Sequence, residues 1–98
     1  MPKTSTAENA QRLATRLKEL LGHDQIAVRA HGSHLHIRLV EADMETVVAR
    51  LTEIRTGKFA AAYRNHSGRW EPLPGVGQLE QAAQIVVDCL GTYLEPLD

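Results

Sequence analysis

An amphipathic helical stretch at each end of the chain, with segments of alternating polarity between them, predicts an α+β fold built on an antiparallel sheet. Turns containing Gly and Asn punctuate the middle segments, which is how consecutive antiparallel strands are joined. Length and composition agree: 98 residues, 43% hydrophobic and 23% charged, suit a single domain over 1–98 with a flexible N-terminus at 1–4. With one Trp, two Tyr and one Phe, the core must rest on Leu, Val, Ile and Ala.

The first helix is marked at both ends. Ser5 and Glu8 fit a capping box, in which each side chain satisfies an orphaned N–H of the first turn. Ala10, Leu13, Ala14, Leu17, Leu20 and Leu21 recur at three- and four-residue spacing and share a face. Gly22 follows as a left-handed C-cap. Glu8, Arg12, Arg16, Lys18 and Glu19 fall on the opposite, solvated face.

Residues 25–40 predict a hairpin around Gly32-Ser33, with Gly supplying the positive φ of a II′ turn. The pairs that follow run from His31 with His34 to Ile26 with Leu39. That register gathers Arg29, His31, His34, His36 and Arg38 on one face and the apolar residues on the other. A slip of one residue would destroy the separation.

Residues 43–56 carry both periods. Met44, Val47, Val48, Leu51 and Ile54 fit a helix face between Asp43 as N-cap and Gly57 as C-cap, and the helix is the favoured reading. Thr46, Val47, Val48, Thr52, Ile54 and Thr56 are β-branched, however, and Val47, Ala49 and Leu51 alternate as a strand would.

A second hairpin joins 58–65 to 69–73 through Asn65-His66-Ser67-Gly68, a type I turn closed by a bulge. Pro72 and Pro74 place its second strand at a sheet edge or end the pairing early. The last helix runs from near Gly77 to about Glu95, with Leu79, Ala82, Ala83, Val86, Leu90, Tyr93 and Leu94 inward. Ile85 and Cys89 widen its apolar arc. The expected order is α-β-β-α-β-β-α, an antiparallel four-stranded sheet of two hairpins with three helices. The alternative is a five-stranded antiparallel meander flanked by N- and C-terminal helices.

Composition restricts the function classes. Cys89 is the only cysteine, so an internal disulfide and CxxC metal or redox motifs are excluded. No apolar run spans a bilayer and MPKTSTAENA lacks a signal-type core, so the expectation is a cytoplasmic protein with no membrane contact. Net charge is −1, yet 55–70 holds Arg55, Lys58, Arg64 and Arg69 without an acid, and 71–98 holds acids without Lys or Arg. Duplex-DNA binding normally needs a basic excess overall, whereas a local basic patch remains compatible with nucleic acid.

Four chemistries compete for these residues. His31, His34 and His36 offer imidazoles on one strand face, but a fourth metal ligand is not evident, Glu71 and His66 cannot be placed, and no cofactor is expected. Ser33 beside these histidines is explained by its turn, which has no oxyanion donor or orienting carboxylate, so catalysis is not expected. Gly75-Val76-Gly77 ahead of a helix is a weak anion-site signal. Arg29, His36, Arg38, Arg64, Arg69 and Trp70 would carry single-stranded nucleic-acid binding, cations following the backbone and an aromatic stacking on bases.

Small size, an edge strand and a broad last helix favour a protein-binding role instead, as adaptor, inhibitor or regulatory subunit. Self-association through Ile85 and Cys89 is its specific form. Protein binding ranks first and single-stranded nucleic acid second. Crowding of cations should also push the clustered histidines below their usual titration range.

Overall fold

Period-2 patterning dominates the whole middle of the chain, and the result is one five-stranded sheet. The computed structural model describes residues 6–96. Helix α1 spans Thr6–Leu21 and is followed by five strands: β1 Ile26–His31, β2 His34–Glu41, β3 Met44–Arg55, β4 Lys58–Arg64 and β5 Trp70–Gly77. Helix α2, Leu79–Leu90, and a 3₁₀ turn over Gly91–Leu94 close the chain. The strands lie in sequence order β1-β2-β3-β4-β5, every neighbour antiparallel. The fold is therefore the five-stranded meander with a helix at each end.

The first hairpin forms in the expected register, all the way from His31 opposite His34 to Ile26 opposite Leu39. Gly32 has φ +60, and Ser33 is not among the positive-φ residues, as a II′ turn requires. The Asn65–Gly68 turn also forms: the Gly68 N–H donates to the Asn65 carbonyl at 2.9 Å, and Gly68 takes the left-handed position with φ +81. Trp70 consequently lies opposite Arg64.

Residues 43–56 are corrected from helix to strand β3. Its β-branched residues outweigh the helical spacing, and a central strand satisfies its backbone from both sides, through β2 and β4. Asp43 belongs to the β2–β3 turn rather than an N-cap, and Gly57 (φ +77) turns β3 into β4 rather than ending a helix. Four strands thus become five, and three helices become two. The final helix is also shorter than expected: Gly77 belongs to β5, and beyond Leu90 the chain tightens into the 3₁₀ turn. That turn buries Leu94 but leaves Tyr93 69% exposed, so Tyr93 is not on the inward face. The Ser5 half of the expected capping box and the N-terminal 1–4 segment lie outside the described residues.

Both helices cover the same face of the sheet. Helix α1 packs on β1 and β2, α2 on β4 and β5, and the two helices touch each other. The layer between them holds Leu13 and Leu17 of α1, Leu35, Ile37, Ala49 and Leu51 of the central strands, and Val86 of α2, all fully buried. A register shift between Ile37 and Arg38 inserts Val48 as an extra residue of β3, and Val48 packs against this core. Among the described residues nothing lies over the opposite face.

Candidate functional site: the uncovered face of the sheet

The face without helices is built by alternation. If Leu35, Ile37, Leu51 and Ala61 point inward, then His34, His36, Arg50 and Ala62 must point outward. Register lines up Arg29, His36, Arg50, Ala62 and Pro72 as one row across all five strands, with His34, Thr52 and Ala60 as the next.

The rings on this face touch. His31 and His36 stack with centroids 5.3 Å apart, His34 lies 6.3 Å from His36, and His36 is 5.7 Å from Trp70. Arg50 lies over the Trp70 ring with its guanidinium carbon 4.3 Å from the centroid. A guanidinium at that distance is held by the ring quadrupole, and it also shields part of the indole from water. Trp70 is accordingly half-buried although no helix covers it.

The cations divide into two groups. Arg29 grips Glu45 with both nitrogens, Nε at 3.0 Å and Nη2 at 2.7 Å, and Arg38 stands 3.8 Å from the same carboxylate. The Arg29 hydrogen bond holds the Glu45 carboxyl below the usual range. Arg50, by contrast, has no carboxylate within ion-pair distance among the described residues. Nε of Arg38 and Nε of Arg50 are buried without an acceptor among those residues, which is costly for a charged donor.

Both His34 and His36 titrate below the ordinary value of 6.5. Burial is the largest cause for each. The charges come second: Arg50 and His31 for His34, and His31, Arg38, His34 and Arg50 for His36. For these two the direction matches the expectation, and the largest single cause is desolvation against the packed sheet face. Nδ1 of His34 is 2.7 Å from the Thr52 hydroxyl, which fixes the ring.

Of the residues picked from sequence, Arg29, His36, Arg38, Arg64 and Trp70 come from strands and share this face by register, with Arg64 opposite Trp70. Arg69 sits in the Asn65–Gly68 turn region, exposed, its N–H donating to Asn65 Oδ1 at 3.0 Å. Arg50, Thr52 and Glu45 were missed, because the helix reading of 43–56 hid their alternation with Ala49 and Leu51. Tyr63 is on the helix side and donates its hydroxyl to Glu71 at 3.0 Å. Glu71 also accepts from Asn65, and these bonds hold its carboxyl below the usual range.

His31, His34 and His36 are neighbours, yet among the described residues no group of three or more His, Cys, Asp or Glu side chains is placed to hold a metal ion. The Gly75-Val76-Gly77 segment is strand, not a phosphate loop. Gln81 packs against Gly77 and its Oε1 accepts from the Gln78 N–H at 2.8 Å, occupying the entrance to α2. Ile85 lies against Gly75 on β5, and Cys89 is exposed on α2. Among the described residues no helix is long and apolar enough to cross a membrane.

Comparison of the chain with protein-family models, with curated proteins and with solved structures finds no match. The reading of the site therefore rests on its geometry alone.

Proposed function

We propose that the chain is a non-catalytic binding module whose working surface is the uncovered sheet face, and that its ligand is a single-stranded nucleic acid. The observation that carries this reading is the connected set of His31, His36, Trp70 and Arg50. There His31 stacks on His36 and the Arg50 guanidinium lies over the Trp70 ring, with Arg38 and Arg64 on the same face by register. Bases stack on such planes whatever their sequence, while cations follow the phosphates. Arg50, carried on Trp70 and without a carboxylate partner among the described residues, offers its guanidinium to a base or a phosphate. The net charge of −1 is no obstacle: Glu71 is on the helix-side row of β5, Glu80 and Asp88 are on α2, and Glu45 on the face is engaged by Arg29.

The test is the double substitution Arg38→Glu and Arg50→Glu, with Arg38→Gln and Arg50→Gln as the milder pair. Retention of a labelled single-stranded oligonucleotide should fall by about tenfold or more with charge reversal and by less with the glutamines. A folded double-glutamate variant that retains the oligonucleotide as well as the parent chain removes the reading.

One feature favours a second reading, a protein-binding adaptor, inhibitor or regulatory subunit. An open cleft of about 420 Å³ is lined by Val48, Tyr63, Leu90 and Tyr93 together with the polar Arg64 and Glu71. An apolar side chain from a partner suits such a cleft. Tyr93→Asp should then abolish capture of a protein from lysate while leaving oligonucleotide retention intact.

A further inference from the structure

The two edges of the sheet are treated differently. Strand β5 is blocked as a template for further pairing: Pro72 and Pro74 lack N–H donors, Gly75 takes φ +99, and the ladder shifts register between Ala60 and Ala62. Strand β1, Ile-Ala-Val-Arg-Ala-His, has no proline, no register shift and no charged side chain on its inward row. Among the described residues no strand pairs with its outer edge.

Which of its backbone groups face outward follows from the turn. A two-residue turn closes with a hydrogen-bonded pair, here His31 and His34, and such pairs alternate along an antiparallel ladder. The Val40 N–H donating to Gln25 at 2.9 Å falls in the same phase. Ala27, Arg29 and His31 therefore bond to β2, while Ile26, Val28 and Ala30 present their N–H and carbonyl groups to the outer edge.

We propose that this edge pairs with the same strand of a second copy, around a two-fold axis through Val28. Self-complementarity is what selects a second copy. Centred on Val28, the antiparallel register sets Val28 against its equivalent, Ile26 against Ala30 of the second copy, and Ala27 against Arg29 of the second copy. Apolar residues then meet on the helix side, and each arginine faces an alanine. Centring on Arg29 would oppose two guanidinium groups, and centring on Ala27 would pair fewer edge residues.

Helix α1 fits the same axis. Its flank beside β1 forms a shallow groove of about 510 Å³ with Ala7, Ala10, Gln11, Ala14, Val28 and Ala30, where Arg29 is the only charged residue among the described ones and is held by Glu45. The charged residues Glu8, Arg12, Arg16 and Glu19 line a different groove of the helix. Small side chains allow the two α1 helices to approach across the axis, so the interface is sheet plus helix. The pairing would join the two uncovered faces into one ten-strand surface.

Hydrogen exchange by NMR, combined with sedimentation, tests the pairing on the full chain and on Ala30→Lys. Ala30 is exposed, so lysine there leaves the monomer folded while placing a charge on the inward row of the edge. The expected result is a doubled mass that falls to the monomer value in Ala30→Lys. The amides of residues 28 and 30 should exchange at least about tenfold more slowly in the concentrated parent than in the variant, with Ala27 and Arg29 protected in both. A parent that stays monomeric at NMR concentration overturns the proposal. So does a dimer whose Val28 and Ala30 amides exchange freely, because its interface would lie elsewhere.

Discussion

Ala42 sits at φ 52, the only non-glycine residue with positive φ among those described, at the first position of the turn between β2 and β3. An L side chain there costs about 1–2 kcal/mol through its Cβ, which glycine lacks. Ala42→Gly should therefore raise the stability by about 1 kcal/mol, read as a higher urea midpoint at unchanged m-value. Gly75 presents the opposite case. A Cβ there would stand 2.9 Å from Ile85 Cδ1 at φ +99. Gly75→Ala should cost about 1–3 kcal/mol, a loss expected from overpacking combined with backbone strain. Equal stability of the two variants would contradict this description of the turns. His34 and His36 predict the pH response. Their folded pKa values lie below 6.5, so on acidification the unfolded chain takes up protons that the folded chain refuses. Stability is full above that value and falls as pH drops through it toward the lower folded values. Replacing both with Gln should flatten thermal melting temperature against pH between about 7 and 5. An unchanged slope would mean that other groups control it.

Strand β3 shows why some elements were legible and one was not. The first hairpin could be read to the residue because its turn, its alternation and its polar row all agreed on one register. In β3 the apolar residues satisfy two periods at once, and the residue that decides between them, Val48, is the extra one of a bulge. A bulge breaks strict alternation, and so it imitates helical spacing. The outward row was legible only in part for the same reason: Arg29, His36, Arg38 and Trp70 came from well-defined strands, while Arg50 and Glu45 waited on β3. Substitutions separate the two readings. On a helix face, Met44, Leu51 and Ile54 would be buried together. In the strand, Leu51 is fully buried while Met44 and Ile54 are 69% and 54% exposed. Leu51→Ala should cost about 2–5 kcal/mol and Ile54→Thr no more than about 0.5 kcal/mol, measured by chemical denaturation. Comparable losses at both positions would contradict the strand.

Across the whole molecule, one layer of helices on one sheet leaves a face that must meet water or a ligand. This chain furnishes that face with arginine, histidine and tryptophan, and its Glu45 is engaged by Arg29 and Arg38 while Arg50 lies over Trp70. It also happens that Trp70 is the only tryptophan in the chain, so its fluorescence reports on that face alone. Titration with a single-stranded oligonucleotide at several salt concentrations is therefore the experiment to perform first. The predicted result is a saturable change in Trp70 emission, with an affinity that falls as salt rises. Contacts to three or four phosphates correspond to a logarithmic slope of about −2 to −3. Emission that stays unchanged at low salt, or a response that persists equally in the Arg38→Glu, Arg50→Glu variant, would contradict the assignment of the uncovered face to nucleic acid.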